Sequence, residues 1–114
     1  MEAILLILIL FGVTQLAVGL IFCGEGRKCN CDVTGYLTCW DTLPPDPDRL
    51  PFINFSSIDF RDTYVSYFDE AYYRNFPKLK LINLDMRKSM HGFDCSSLKG
   101  VQSSGYQIIA PQCG

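Results

Sequence analysis

Four of the six cysteines lie within seventeen residues, and this cluster constrains the fold of the 114-residue chain more than any other feature. The four are Cys23, Cys29, Cys31 and Cys39, and they follow an apolar leader. A cluster this tight forms either two disulfides or a metal site, depending on the compartment. Structural zinc sites usually use pairs of cysteines separated by about two to four residues, whereas the thiols of a secreted chain are oxidised to disulfides. We therefore expect disulfides and no bound metal.

The leader indicates which compartment applies. A long apolar run is followed by Ala17 and Gly19, small residues spaced as signal peptidase requires. We predict a signal peptide over residues 1–19, with cleavage no later than residue 22. Glu2 stands where a basic residue is expected, so the alternative is an uncleaved anchor, since about twenty apolar residues span a bilayer. All six cysteines follow the leader and their number is even, which favours secretion.

Removal of residues 1–19 leaves about 95 residues, which corresponds to one domain. A domain of this size has a modest core and gains stability from covalent crosslinks. Its basic and acidic residues nearly balance and form no basic stripe, so nucleic acid is not an expected partner. No second apolar segment is long enough to span a bilayer, so we expect no membrane insertion of the mature chain.

An apolar pattern in the second half of the chain occurs twice, with a constant offset of about two dozen positions. The first set is Phe55, Ile58 and Phe60, and the second is Leu79, Ile82 and Leu84. Alternation of apolar and polar residues holds only over Ile58-x-Phe60 and Ile82-x-Leu84. This pattern predicts two short parallel strands, each with one apolar face.

The cysteine cluster followed by this period resembles the extracellular leucine-rich repeat family, whose members begin with a cysteine-rich cap. The resemblance implies a short α/β-type solenoid with disulfide caps, few short parallel strands, an N-terminal β-hairpin cap and an irregular convex side. Residues 20–51 would form the cap with its proline-rich connection, and residues 52–92 one complete and one partial repeat. Residues 93–114 would form a C-terminal cap or tail. Thr63 stands where the family has an asparagine that bonds to the backbone.

The resemblance also implies a disulfide pairing. Four cysteines alone allow three connectivities, and the family cap pairs Cys23 with Cys31 and Cys29 with Cys39. Cys95 and Cys113 then remain to pair with each other. The predicted hairpin turns at Thr34-Gly35, where glycine tolerates a positive φ.

No residue pattern indicates catalysis. His91 is the only histidine, and no nucleophile or second base accompanies it in a recognisable motif. No glycine-rich phosphate loop is present. We therefore expect a protein that is not an enzyme and holds no cofactor.

Asn54-Phe55-Ser56 is a sequon for N-glycosylation, which would make the secreted protein a glycoprotein. The alternative is that Asn54 stays unmodified, because Phe55 is expected in the core and the adjacent backbone would then be protected.

Side chains between the apolar steps of the predicted strands are expected on the concave face, where the family binds its partners. These are Ser57, Asp59, Arg61, Asp62, Leu81, Asn83, Asp85 and Met86. Leu81 and Met86 would place apolar side chains among charged ones, a mixture that suits protein contacts. The alternative is a solvated polar surface. Tyr64, Tyr67 and Tyr72 form a second candidate surface on the convex side, and Trp40 is expected under the cap.

The predicted function is therefore recognition or adhesion: a secreted module that binds an extracellular or cell-surface protein, with its oligomeric state open. Two alternatives remain. The chain could be a small disulfide-rich effector or inhibitor, in which bridges would join the 23–39 cluster to Cys95 or Cys113. It could also be a signal-anchored extracellular subunit that retains residues 1–22.

Overall fold

The computed structural model of the protein describes residues 20–88, 92–101 and 105–114. The predicted signal peptide over residues 1–19 and the histidine at position 91 therefore lie outside the described residues. The strands are β1 (Leu20–Cys23), β2 (Cys29–Asp32), β3 (Tyr36–Trp40), β4 (Ser57–Asp62), β5 (Leu81–Asn83) and β6 (Gln107–Ile109). The helices are α1 (Glu70–Tyr73) and 3-10 helices at Glu25–Arg27, Pro47–Arg49, Cys95–Leu98 and Pro111–Cys113.

The six strands form one sheet in chain order, from β1 to β6. β1, β2 and β3 pair antiparallel, whereas β3, β4, β5 and β6 pair parallel. The fold is therefore a small α/β fold with a mostly parallel sheet. The predicted parallel pairing of the two segments that share the apolar pattern is confirmed, because Ile58 lies opposite Ile82. Among the described residues, no helix has the length and apolar character needed to cross a membrane.

The predicted hairpin is present, and its turn also anchors the first parallel strand. Gly35 has φ 103° and donates its N–H to the carbonyl of Asp32 at 2.9 Å. Its own carbonyl accepts the N–H groups of Ser56 and Ser57 at 2.8 and 3.0 Å. A side chain at Gly35 would meet Ser56 Oγ at 3.0 Å, so glycine is required both for the backbone conformation and for this close approach.

The core lies on one side of the sheet, where the inward residues of successive strands stack in register. Leu37, Ile58 and Ile82 share one level and are all buried. Ile108 of β6 continues this level and is partly buried. Thr63 is buried as well, and its hydroxyl donates to the carbonyl of Phe60 at 2.8 Å, the kind of backbone bond expected from it. The return from β4 to β5 runs through α1, whose Tyr73 packs into the core.

The last parallel strand, β6, was not predicted, since residues 93–114 were expected to form only a cap or tail. Ile108-x-Ala110 repeats the pattern of Ile82-x-Leu84 after a slightly longer return of the chain. The Gln112 side chain continues the ladder beyond the strand. Its Nε2 donates to the carbonyl of Leu84 at 2.8 Å, and its Oε1 accepts the N–H of Met86 at 3.2 Å. This amide therefore satisfies two backbone groups that a further strand would otherwise pair.

All six cysteines form disulfides within the chain, as Cys23–Cys31, Cys29–Cys39 and Cys95–Cys113. These are the pairs that the family resemblance implies, and no bridge joins the N-terminal cluster to the C-terminal pair. The four N-terminal cysteines are buried, whereas Cys95 and Cys113 are partly exposed. Three intramolecular disulfides indicate an oxidising, extracellular environment.

Tyr73 lies in an aromatic part of the core, where its ring stacks on Phe68 at a centroid distance of 4.9 Å. Burial raises the pKa of the Tyr73 phenol well above its usual value of 10, and the neighbouring Tyr72 raises it further. A phenol held neutral in this way links the stability of the fold to alkaline pH.

We expect the free energy of unfolding to fall as the pH rises above about 10. The unfolded chain releases the Tyr73 proton near that pH while the folded chain retains it, so the unfolded state binds fewer protons. The stabilisation is full below about pH 10 and declines above it by up to about 1.4 kcal/mol per pH unit for this group. Denaturant unfolding between about pH 9 and 11 measures the slope. Tyr73→Phe keeps the ring and should reduce that slope, so an equally steep decline in this variant would contradict the explanation.

Candidate functional site

The side of the sheet that faces away from the core, called here the open face, presents the alternate side chains of all six strands. The strand register aligns these side chains in rows across the sheet, because successive residues of a strand point to opposite sides. The open face consists of Phe22, Asn30, Asp32, Tyr36, Thr38, Trp40, Ser57, Asp59, Arg61, Leu81, Asn83, Gln107 and Ile109, together with Asp85 just after β5.

The structure brings most of the predicted partner-binding residues together on the open face. They are Ser57, Asp59, Arg61, Leu81, Asn83 and Asp85. Asp62 is exposed at the end of β4, beside this face. The expectation for Met86 is corrected, because it is only 5% exposed and packs in the core. The burial pattern alternates beyond the end of β5, so Met86 follows Ile82 and Leu84 to the core side.

Asp59 lies on the open face but is covered by its neighbours, which corrects the expectation that its side chain is exposed. Its Oδ1 accepts the N–H and Nε–H of Arg61 at 3.1 and 3.0 Å, and its Oδ2 accepts Nη2 at 2.7 Å. The Tyr36 hydroxyl donates to Oδ2 at 3.4 Å. The side chain of Asp59 is 3% exposed and that of Arg61 is 52% exposed. The carboxylate therefore positions an exposed guanidinium.

The same contacts shift the pKa values of the two groups that cover Asp59. The hydrogen bond from Arg61 and the charge of Asp59 raise the pKa of the Arg61 guanidinium above its usual value. Burial is the main cause of the raised pKa of the Tyr36 phenol, and the charge of Asp59 and its hydrogen bond add to it. Arg61 is therefore cationic and Tyr36 neutral at physiological pH.

A second carboxylate–guanidinium pair follows β5. Arg87 Nε donates to Asp85 Oδ1 at 2.8 Å and Nη2 donates to Oδ2 at 2.7 Å. The hydrogen bond from Arg87 is the main cause of the lowered pKa of the Asp85 carboxyl. Asn83 Oδ1 accepts the N–H of Asp85 at 3.0 Å, as Asp59 Oδ1 accepts that of Arg61. The residues at positions 59 and 83 thus make the same local bond one period apart.

The aromatic part of the open face was missed by the sequence reasoning. Phe22 is 64% exposed and Tyr36 is 42% exposed. Trp40 packs edge-to-face against Phe22 at a centroid distance of 6.3 Å, which corrects the expectation that it lies under the cap. β3 turns Leu37 and Cys39 to the core, so its alternate residues must face outward. The available signal is the alternation Tyr36-x-Thr38-x-Trp40, which lies within the predicted cap.

The convex-side tyrosines differ in their accessibility. Tyr72 is partly buried, and its hydroxyl donates to the carbonyl of Pro45 at 2.8 Å. Tyr64 and Tyr67 are exposed, and the Tyr64 hydroxyl donates to a carboxylate oxygen of Asp41. Lys28 Nζ also contacts that carboxylate at 3.1 Å, so Asp41 ties the cap to the segment after β4. Tyr67 is therefore an exposed aromatic residue well suited as a control for the open face.

Asn54 of the sequon is exposed, although Phe55 beside it is fully buried. The Ser56 hydroxyl donates to the carbonyl of Gly35 at 3.2 Å. An oligosaccharide on Asn54 remains a prediction, and its attachment point would lie at the end where β4 begins.

Within the described ranges, no group of three or more histidine, cysteine, aspartate or glutamate side chains is placed to hold a metal ion. Comparison of the chain with protein-family models, with curated proteins and with solved structures finds no match. Function is therefore inferred from the chain's own residues and their geometry.

Proposed function

We propose that this protein is a secreted, non-enzymatic recognition module built as a short solenoid of leucine-rich-repeat type. In this proposal, the open face binds an extracellular or cell-surface protein. The observation that carries the proposal is the composition of that face: exposed Phe22 and Tyr36 and half-buried Trp40 lie beside a guanidinium that Asp59 holds in place.

The stacking of strands supports the solenoid part of the proposal. Ile58, Ile82 and Ile108 occupy equivalent inward positions on parallel strands and recur at similar spacings along the chain. A single repeat cannot bury its own apolar stripe and needs covered ends. The disulfide-linked hairpin adjoins one end of the parallel stack, and the Cys95–Cys113 segment adjoins the other. Both ends therefore have the kind of cover that so short a stack requires.

The side chains of the open face support protein binding. Tryptophan, tyrosine and arginine are the residues that most often carry the energy of protein interfaces, particularly where they are held in position. A standard interface buries about 800 Å² on each partner, so this small domain would use most of the open face. The polar side chains around Phe22, Tyr36 and Trp40 would form the rim of such an interface.

The disulfides support secretion. The N-terminus of the mature protein would distinguish a secreted protein from an anchored one. Cleavage after Gly19 would retain the whole of β1 (Leu20–Cys23), which pairs with β2 along its length. N-terminal sequencing of the protein recovered from culture medium tests this step. A product that begins at Met1 and stays with the membrane fraction would support the anchored subunit instead.

The binding proposal predicts that Trp40→Ala weakens binding to a cognate partner by at least about tenfold, because truncation of an interface anchor removes about 2 kcal/mol or more. The purified domain would be screened against purified ectodomains by surface plasmon resonance, and the variants would then be measured against each ectodomain that binds. Tyr67→Ala is the matched control, since Tyr67 is exposed outside the open face. Thermal melting of both variants checks that they fold. Binding that survives Trp40→Ala and Phe22→Ala but is lost in Tyr67→Ala would overturn the assignment to the open face.

A further inference from the structure

A cavity of about 700 Å³ opens at the edge of the open face, where β4 and β5 end. Five described residues line it: Arg61, Asp62, Asp85, Arg87 and Lys88. All five are charged, and the three cations exceed the two anions by one positive charge. The volume is in the usual range for small-molecule sites, although such sites are mostly apolar. The described part of the lining therefore favours a polar, negatively charged ligand.

Both guanidiniums in this cavity are held in place before any ligand arrives. Arg61 is fixed by Asp59 through Nε and Nη2, and Arg87 is fixed by Asp85 through the same two nitrogens. A guanidinium carries five N–H donors, so these bonds do not exhaust its capacity. The remaining donors suit the oxygens of a carboxylate, which pairs with arginine in a planar, bidentate manner.

The two pairs act on each other across the cavity. The hydrogen bond from Arg87 is the main cause of the lowered pKa of Asp85, and the charge of Arg61 lowers it further. Asp85 is consequently an anion at neutral pH. Asp62 and Asp85 thus offer acceptor oxygens to hydroxyl groups and repel a second negative charge.

We propose that the cavity binds one carboxylated sugar residue, a uronic or sialic acid. Its carboxylate would pair with Arg61 and Arg87, and its hydroxyl groups would donate to Asp62 and Asp85. Strongly polyanionic chains are disfavoured, because Asp62 and Asp85 repel additional acidic groups. An acidic protein side chain offers the same carboxylate, but it lacks the hydroxyl groups of a sugar, which would donate to the two aspartates. This site shares Arg61 and Asp85 with the open face but none of its aromatic residues.

The test is an NMR titration of the isotope-labelled secreted domain with methyl glucuronide and with a methyl glycoside of sialic acid. Saturable shifts are expected at the Nε–H groups of Arg61 and Arg87 for at least one of these sugars. Methyl glucoside, in which a CH₂OH group replaces the carboxylate, should give no saturable shift. Arg87→Gln should weaken binding about tenfold, since one charge-assisted pair is lost. Arg74→Gln is the matched control, because Arg74 forms an exposed pair with Glu70 outside the cavity.

Four outcomes would overturn the proposal. One is the absence of saturable shifts with either acidic sugar, and another is equal binding of methyl glucoside. A third is tighter binding of a blocked glutamyl peptide or of heparin, which would assign the cavity to an acidic protein segment or to a polyanion. The fourth is an equal loss of affinity in Arg87→Gln and Arg74→Gln. Backbone amide spectra of both variants that match the unsubstituted domain confirm that each one is folded.

Discussion

Removing the Cys29–Cys39 disulfide, by Cys29→Ala together with Cys39→Ala, is expected to lower the free energy of unfolding by about 2–5 kcal/mol. The bridge joins directly opposed residues of β2 and β3. β3 is the strand at which the sheet changes from antiparallel to parallel pairing, so its position determines where the parallel stack begins. Both cysteines are buried, and alanine at these sites would also leave unfilled space in the core.

The size of this loss matters because small domains are stable by only about 5–10 kcal/mol. The double variant should therefore unfold at a much lower denaturant concentration and be partly unfolded at about 37 °C. Urea unfolding followed by circular dichroism gives the change in free energy. Substituting both cysteines avoids a free thiol that could exchange with the remaining bridges.

Removal of the Cys95–Cys113 bridge, by the corresponding pair of alanine substitutions, is the matched comparison. It closes the longer loop, with a sequence separation of 18 residues against 10 for Cys29–Cys39. From loop entropy alone, removing Cys95–Cys113 would lower the free energy of unfolding by only about 0.5 kcal/mol more than removing Cys29–Cys39. Cys95 and Cys113 are partly exposed, so little core packing is lost with their bridge. We expect the Cys29–Cys39 variant to be the less stable one, and the reverse order would contradict the importance given to core burial.

The parallel register could be predicted from the sequence because two requirements coincide in it. The inward positions of each strand must be apolar, and the chain must return after a similar length to place the next strand beside it. Ile58 and Ile82 satisfy both, so the apolar pattern and its spacing together identified them as neighbours. The turn at Gly35 was also predictable, since few residues accept its backbone conformation.

β6 was missed because its pattern is short and the chain takes a longer return to reach it than it takes between β4 and β5. Ile108-x-Ala110 on its own fits a strand, a tail or part of a cap. The pairing with β5 depends on contacts from distant segments, such as the Gln112 amide with Leu84 and Met86. No local pattern in the sequence indicates those contacts.

The candidate site was predicted only in part, for a similar reason. The outward residues of β4 and β5 followed from the repeat, whereas those of β3 lie in a segment that was predicted only as part of the cap, although β3 pairs in parallel with β4. Asp59 is buried because the Arg61 side chain folds back onto it and the Tyr36 hydroxyl contacts it. The sequence does not show which rotamer Arg61 adopts or that Tyr36 lies next to Asp59. The sequence therefore identified the outward residues of β4 and β5 but not the aromatic residues of the open face or the burial of Asp59.

The second large effect is expected for Ile82→Ala, which should lower the free energy of unfolding by about 2–5 kcal/mol. Ile82 is fully buried between Ile58 and Ile108 on the neighbouring strands, so truncation leaves a cavity that the sheet cannot easily close. Leu81→Ala is the matched control, because the adjacent side chain points to the open face and is only partly buried. Leu81→Ala should lower the free energy of unfolding by about 1 kcal/mol or less.

Urea unfolding of both variants measures this contrast between adjacent positions of one strand. A double-mutant cycle with Ile58→Val and Ile82→Val then tests whether the two isoleucines share one core, since residues in contact show coupling of about 0.5 kcal/mol or more. The valine changes are small enough to leave the domain folded. Additive effects in this cycle, or equal losses for Leu81→Ala and Ile82→Ala, would contradict the parallel stacking of β4 on β5. The open face would then lose its basis as well, because its outward residues are defined by the same alternation that turns Ile58 and Ile82 inward.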